Sequence, residues 1–216
     1  MMDEDARVEV SFLLPTCRKF EQYASLTIDS IFRANLNFDY EIIVCSKEKV
    51  DYECVTWVEE PKDNRGGVLP FNLAYQQAKG RYVSILVDDF TINYTFPKII
   101  EFLNSEAFEG QKVKFSALAP QHHKISNSDG ILRFPVFERE SALQHLGSNI
   151  FDSRFKHHNP DVYLTRYLKE KLKVNCPICP DAHIFMREEI TDDSMNGEDA
   201  GALARATSDM NEAQYL

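Results

Sequence analysis

Two adjacent carboxylates, Asp88 and Asp89, directly follow an apolar, β-branched run over residues 82–87. Such a run predicts a strand covered on both faces, as in a parallel sheet flanked by helices. Like charges side by side repel, and holding them near a dry core is costly unless a cation or hydrogen-bond donors offset them. The pair therefore indicates either a cation site or a turn in which both acids point into water, where Asp is also favoured.

The elements that position this pair alternate in type. The sequence predicts strands over 8–14, 40–45, 54–58 and 82–87, and helices over 19–34 and 70–79. This order, with short connections, predicts a wound, mainly parallel α/β sheet. Beyond Asp89 the pattern loosens into helices near 95–105, 139–147 and 161–171, strands at 113–119 and before 138, and a strand, loop and strand over 173–185. We expect this second half to add walls and loops to the same site.

In an open α/β sheet, ligands bind outside the carboxyl ends of the strands. Three predicted strand ends carry polar residues: Pro15-Thr16, Cys45-Ser46-Lys47 and Asp88-Asp89. Paired carboxylates at such a crevice suit a hard divalent ion, which in turn suits a ligand rich in phosphate oxygens. This placement favours the cation site over the solvated turn.

Length and composition predict one globular domain over 1–187. The chain has 216 residues, 44% of them hydrophobic, enough for one sizeable core. No stretch approaches the roughly 18 to 20 apolar residues that span a bilayer, and the N-terminus is acidic where a signal peptide would be basic. We therefore expect a soluble, cytoplasmic protein without a transmembrane segment.

The net charge of −10 argues against a nucleic-acid surface, which needs a basic stripe. The acidity is concentrated in residues 188–216, with eight acids and one Arg. Few large apolar residues occur there, so this segment is predicted to be a solvated tail, with an interaction tail as the alternative.

Five cysteines in a chain without an export signal predict free thiols. Cys176, Cys179 and His183 have spacing that resembles part of a zinc site, but a structural zinc needs four ligands. Buried structural cysteines are the favoured interpretation.

Four segments together resemble the family 2 nucleotide-diphospho-sugar glycosyltransferases of the GT-A fold. They are "VSFLLPTCRKFEQYASLTIDSI", "YEIIVCS", "NRGGVLPFNLAYQQAKGRYVSILVDDF" and "FDSRFKHHNPDVYLTRYLKEKLKV". The resemblance covers residues 8 to about 185 and is most specific between Asn72 and Asp89. It implies a nucleotide-binding half over about 8–90 and an acceptor half over about 91–187.

The resemblance also implies roles for individual residues. The nucleotide-sugar pocket is expected to include Pro15, Thr16, Arg18, Ser46, Asn72 and Asp88. Asp89, the last acid of the family's Asp-x-Asp-type motif, is expected to bind Mn²⁺ or Mg²⁺, with His183 as a looser match for a second metal ligand. Asp161, at the start of a late helix, is expected to be the base that activates the acceptor hydroxyl, although Asp at a helix start is also a common cap.

Three departures from the family pattern concern the site. Ser46 and Val87 stand where the family has acids, and Pro160-Asp161 retains one carboxylate of a pair. Cations near strand ends, at Arg18, Lys47 and Arg65, are interpreted mainly as surface charges, although each could reach a phosphate. Asn72 is also interpreted as a support residue for backbone groups near the pocket.

The sequence thus predicts an inverting, metal-dependent glycosyltransferase acting on a nucleotide-sugar donor and a glycan, lipid-linked or small-molecule hydroxyl acceptor. The alternative is a degenerate homologue that binds a nucleotide or a partner without turnover. A nucleotidyltransferase is disfavoured, because the first strand leads into "LLPTCRKF" and not into a glycine-rich phosphate loop.

Overall fold

A computed structural model describes residues 8–17, 20–64, 66–121, 130–155 and 160–187. The predicted tail over 188–216 and two of the predicted cationic residues, Arg18 and Arg65, lie outside these ranges. Within them, the longest helices have ten residues, and none has the length and apolar character needed to cross a bilayer.

Eight strands form one mixed sheet in the order β3-β2-β1-β4-β7-β6-β8-β5. The strands are β1 Val10–Pro15, β2 Tyr40–Ser46, β3 Val55–Glu59, β4 Tyr82–Ile85, β5 Phe90–Ile92, β6 Phe115–Pro120, β7 Pro135–Glu138 and β8 Ile178–Met186. The first four are parallel to one another, β7 runs antiparallel to β4 and β6, and β8 is parallel to β6 but antiparallel to β5. Strands of both chain halves thus belong to one sheet.

Helices cover both faces of this sheet. They are α1 Ala24–Arg33, α2 Val68–Gln77, α3 Pro97–Leu103, α4 Arg139–Leu146 and α5 Pro160–Arg166. Alternation along β1 explains the two layers, since Phe12 and Leu14 pack with α1 and α3, whereas Leu13 packs with α2, α4 and α5. A strand buried on both faces must be apolar throughout, which is why β1, β2 and β4 are nearly continuous apolar runs.

Gly80 shows how closely the chain approaches β1. A Cβ atom at Gly80 would lie 2.5 Å from the backbone nitrogen of Ser11 and 2.7 Å from its Oγ. The N–H of Gly80 donates to Ser11 Oγ at 2.8 Å, and that hydroxyl donates to Glu41 at 2.6 Å. Position 80, between the end of α2 and the start of β4, therefore accommodates only glycine without a shift of the backbone.

The structure differs from the predicted elements in two boundaries, one missed strand and one strand that was predicted as two. The first helix begins at Ala24, since Phe20–Gln22 forms a 3₁₀ turn. The predicted strand over 82–87 ends at Ile85, and the short strand β5 was missed. The predicted strand, loop and strand over 173–185 is one strand, β8, because residues 173–177 have no regular structure.

Candidate functional site

A cavity of about 850 Å³ opens at the carboxyl ends of β1 and β2. Its wall includes Thr16 after β1, Ser46 and Lys47 at the end of β2, and Tyr52 in the following loop. Phe20 packs edge-on against Tyr52, with ring centroids 5.4 Å apart. The cavity therefore combines an aromatic pair with hydroxyl groups and charges, and it lies where an open α/β sheet binds ligands.

The two acids that follow β4 occupy a tight turn beside this edge. The N–H of Phe90 donates to the carbonyl oxygen of Val87 at 3.2 Å, so Asp88 and Asp89 are the central residues of a hydrogen-bonded turn between β4 and β5. Asp88 is only 5% exposed, and Thr16 Oγ1 donates to its Oδ2 at 2.6 Å. Because Thr16 lines the cavity, this bond joins the cavity to the acidic turn.

Arg187, directly after β8, brings a cation to the same turn. Its backbone N–H donates to the carbonyl oxygen of Asp89 at 3.0 Å. Its guanidinium Nη2 donates to the carbonyl oxygens of Asp88 and Tyr23. A positive charge beside two carboxylates reduces their repulsion. Sequence reasoning missed Arg187, because only the pairing of β8 with β5 brings it to this turn.

The donor set at the turn fits a hard, oxygen-binding ion. Mg²⁺-like ions take one or two carboxylates and complete their shell with water and substrate phosphates, so Asp89 could hold such an ion together with a diphosphate, while the buried Asp88 is bonded to Thr16. Across the described ranges, no three His, Cys, Asp or Glu side chains converge on one point. A zinc-type site built of three or four protein ligands is therefore not formed by these residues.

His183 and Asp89 are not brought together. Ile184 pairs with Ile92, and Arg187 pairs with Asp89, so His183 lies four residues along β8 from the acidic turn. At about 3.3 Å per residue, that separation is about 13 Å. The Nδ1 atom of His183 lies 3.0 Å from Gln121 Nε2. In this arrangement His183 cannot share an ion with Asp89.

Ser46 lines the cavity, but its hydroxyl is already engaged. Ser46 Oγ donates to the carbonyl oxygen of Glu48 at 2.7 Å and accepts from Trp57 Nε1 at 3.1 Å. A hydroxyl has one donor and two acceptor positions. Ser46 can therefore accept one further hydrogen bond from a ligand but cannot donate one.

A buried acid that the sequence analysis overlooked lies behind Ser46. Glu60 is 3% exposed, accepts from Asn64 Nδ2 at 2.7 Å, and its N–H donates to the carbonyl oxygen of Ser46 at 2.9 Å. Burial raises the pKa of this carboxyl, while Asn64 and Lys47 oppose the rise. Lys47 Nζ donates to the carbonyl oxygen of Asn64 at 2.6 Å. The network holds the loop after β3 against the wall of the cavity.

The remaining predicted residues within the described ranges, Pro15, Asn72 and Asp161, lie outside the cavity wall. Pro15 ends β1 and pairs with Cys45. Asn72 is buried in α2, where its Nδ2 donates to the carbonyl oxygen of Phe151 at 2.9 Å and its Oδ1 accepts from the N–H of Phe151 at 3.0 Å. This pair of bonds agrees with the support role, and Asn72 is not part of the cavity wall. Asp161 is half-buried in the first turn of α5.

The cysteines agree with the expectation of free thiols. Cys17 and Cys54 are exposed, whereas Cys45, Cys176 and Cys179 are buried. Cys176 packs in the core layer under α2, and Cys179 packs in the opposite layer under α3. The CxxC spacing therefore places its two thiols on different faces of the sheet, where they cannot share an ion.

No family model matches the sequence, and no curated protein matches it. Solved structures do match the fold. TarS 1–349 of S. aureus in complex with UDP superposes with a TM-score of 0.61 at 15% identity, covering 82% of this chain and 60% of that one. The same protein in complex with UDP-GlcNAc superposes with a TM-score of 0.60 and covers 84% of this chain and 59% of that one.

A second fold neighbour is the mannosyltransferase PcManGT of Pyrobaculum calidifontis, in complex with GDP-Man and Mn²⁺. It gives a TM-score of 0.61 at 16% identity and covers 98% of this chain and 66% of that one. This chain spans about 60% of the length of the TarS 1–349 structure. The predicted fold class is confirmed: the protein has the GT-A fold, a mostly parallel sheet flanked by helices, and its structural neighbours are GT-A glycosyltransferases.

Proposed function

We propose that this protein is a glycosyltransferase that moves a sugar from a nucleoside-diphosphate donor to a hydroxyl acceptor, with help from a divalent metal ion. The carrying observation is the 2.6 Å bond between Thr16 and Asp88, which joins the cavity at the strand ends to an acidic turn. The fold neighbours that bind UDP, UDP-GlcNAc and GDP-Man support a nucleotide-sugar donor, and the Mn²⁺ complex supports a divalent ion.

The proposed roles of the binding residues follow from their positions. The nucleoside occupies the cavity lined by Thr16, Ser46 and Tyr52, with its diphosphate toward the acidic turn. Asp89 holds the metal ion, and Thr16 keeps the buried Asp88 in one orientation. A bound Mn²⁺ or Mg²⁺ would offset the negative charge that grows on the leaving diphosphate.

The proposed chemical step is a single displacement. The acceptor oxygen forms a bond to the anomeric carbon, the bond from that carbon to the diphosphate oxygen breaks, and the acceptor proton passes to the carboxylate of Asp161. Attack opposite the leaving group inverts the anomeric centre. A positioned carboxylate base contributes roughly 10² to 10⁴-fold to such a step.

The occupied hydroxyl of Ser46 favours a second candidate, a protein that binds a nucleotide without turnover. Ser46 stands where the resembling family has an acid. Its hydroxyl donates its proton to the carbonyl oxygen of Glu48 and accepts a hydrogen bond from Trp57 Nε1. Hydrolysis or transfer of a donor sugar separates the two candidates, since a binding protein retains affinity for the nucleotide but releases no sugar.

The deciding experiment is calorimetric titration of UDP and of GDP, first with Mn²⁺ and then with EDTA. The wild type is compared with Asp89→Asn and with Asp39→Asn. Asp39 is a matched control, because its exposed carboxylate lies at the amino end of β2, away from the carboxyl ends that form the cavity. Binding that needs both Mn²⁺ and Asp89, and is unchanged by Asp39→Asn, supports the proposal. If neither nucleotide binds in either condition, the proposal is wrong.

A further inference from the structure

A second cavity, of about 320 Å³, lies on the sheet face covered by α2 and α5, apart from the carboxyl-end cavity. It is bounded by the end of α4, residues 149–153 and α5, and its wall shares no residue with the larger cavity. Its volume is at the lower end of the range of about 300 to 1,000 Å³ that is typical of small-molecule sites.

Aromatic rings form one side of this second cavity. Tyr163 and Tyr167 are four residues apart, so they share one face of the helix. Their rings are nearly parallel, with 25° between their planes and 6.3 Å between centroids. Tyr167 begins a π-helical turn, closed by a bond from the N–H of Leu172 to its carbonyl oxygen at 3.2 Å. Turns of this kind occur frequently at functional sites.

A fork of charge-assisted bonds holds the wall in place. Arg154 donates to both carboxylate oxygens of Asp152: its Nε lies 3.0 Å from Oδ1 and 2.9 Å from Oδ2, and its Nη2 lies 2.6 Å from Oδ2. The same Nη2 donates to the hydroxyl of Tyr163 at 2.9 Å. These bonds lower the pKa of Asp152, so the carboxyl is ionised at neutral pH. The paired charges cancel, and the cavity is therefore suited to a neutral ligand.

Several polar groups on the wall keep unused hydrogen-bonding capacity. Within the described part of the chain, the side chains of His145 and Ser153 and the hydroxyl of Tyr167 have no hydrogen-bond partner. All three residues line the cavity. Asn149 Oδ1 lies 3.2 Å from Gln76 Nε2 and accepts its hydrogen bond, which leaves the amide N–H groups of Asn149 for a ligand.

We propose that this cavity binds a neutral sugar ring of a glycan. A sugar presents an apolar C–H face, which packs on aromatic rings, and a rim of hydroxyls that both donate and accept. The tyrosine pair can pack against the apolar face of the sugar. His145, Asn149 and Ser153 can form hydrogen bonds with its hydroxyls. A phosphate ligand would require a net positive charge that the Asp152–Arg154 pair does not provide.

The location of the cavity indicates that a bound glycan extends toward Asp161. Only this part of the inference rests on the proposed function. Tyr167 lies six residues after Asp161. This separation corresponds to about 9 Å along a helix at 1.5 Å per residue. A glycan seated across Tyr163 and Tyr167 can thus extend along α5 toward Asp161. The sugar in the cavity would then be a non-reacting unit of the acceptor.

The test is saturation-transfer NMR and calorimetry with linear neutral tetrasaccharides of glucose, mannose and N-acetylglucosamine, without nucleotide or metal. Tyr167→Ala should lower the affinity for the tetrasaccharide by at least about 10-fold. Tyr167→Phe keeps the ring and should lower the affinity by less. Tyr94→Ala is the matched control, because Tyr94 is 78% exposed and lies outside the cavity. It should leave the affinity unchanged.

Two results would overturn this proposal. One is that no tetrasaccharide binds at millimolar concentration; the other is that binding is equal in the wild type, Tyr167→Ala and Asn149→Ala. Nucleotide binding is measured separately, so failure here leaves the donor site untouched. Competition of the sugar by UDP or GDP would place it in the carboxyl-end cavity and would also count against the proposal.

Discussion

The hydroxyl of Thr16 donates a 2.6 Å hydrogen bond to the carboxylate of Asp88, across 72 positions of sequence. Both residues are buried and both follow adjacent parallel strands, β1 and β4. The bond gives the first acid of the turn a fixed partner, and it links the turn to the wall of the carboxyl-end cavity.

Replacing Thr16 by Val keeps the shape of the side chain and removes this bond. Because the remaining carboxylate stays buried, we expect the free energy of unfolding to fall by about 1.5 to 3 kcal/mol, the usual contribution of a hydrogen bond to a charged group. Urea unfolding measures the change. Thr16→Ser, which keeps the hydroxyl, is the control, and equal losses in the two variants would contradict the prediction.

Removing the proposed base should separate transfer from binding. In Asp161→Asn, we expect sugar transfer to fall by roughly 10² to 10⁴-fold, since the attacking hydroxyl loses its proton acceptor. Affinity for the nucleotide should be unchanged, because Asp161 lies in α5, outside the cavity wall. Radiolabelled donor assays and calorimetry measure the two quantities. Full transfer activity in this variant would remove Asp161 from the mechanism.

Thiol labelling should distinguish two classes of cysteine. Cys17 and Cys54 are exposed and should react first, whereas burial raises the pKa of Cys45 and of Cys176 to about 12. The thiolate is the reactive form, so the buried groups should react only after unfolding. Counting labelled sites by mass spectrometry should give two in the native protein and five in denaturant.

The same reagent reports on the cavity. Cys17 lines it and Cys54 does not. In a Cys54→Ser variant, UDP or GDP with Mn²⁺ should therefore slow labelling of Cys17, and in a Cys17→Ser variant it should leave labelling of Cys54 unchanged. A nucleotide that binds by calorimetry but does not slow Cys17 must bind elsewhere.

Gly80→Ala should destabilise the fold. The added Cβ would lie 2.5 Å from the backbone of Ser11, and backbone atoms can move away only by distorting β1. We expect a loss of about 1 to 3 kcal/mol, as for other overpacked sites. Chemical unfolding measures it, beside Lys79→Ala, an exposed neighbouring change that should stay within about 0.5 kcal/mol of the wild type.

Glu60 should make stability depend on pH. Burial raises its pKa above the unfolded value, so between these two values the folded state binds more protons and stability falls as pH rises. Glu60→Gln keeps an acceptor for Asn64 without the charge. The variant should be more stable than the wild type at pH 7, with the difference lost below the unfolded pKa. A difference that is constant across pH would show that ionisation is not the cause.

Much of the fold follows from local patterns. The double-sided burial of β1 and β4 requires apolar runs, and the alternation with α1 and α2 then implies a parallel, wound sheet. Local patterns do not predict strands whose pairing depends on residues far away in the sequence. β5 has only three residues, and it is a strand because it pairs with β8. In the region 173–177 only Val174 is a strong strand former, and the region finds no partner strand among the described elements.

By itself, the sequence determined the fold class and which strand ends carry polar groups, because both depend on residue type and short spacing. It located the Asp88-Asp89 pair and the Pro15-Thr16 segment correctly at neighbouring strand ends. Only the tertiary structure decided which of these groups meet. The Thr16–Asp88 bond, the approach of Arg187 and the separation of His183 from Asp89 all depend on strand order and register, and no local spacing encodes these.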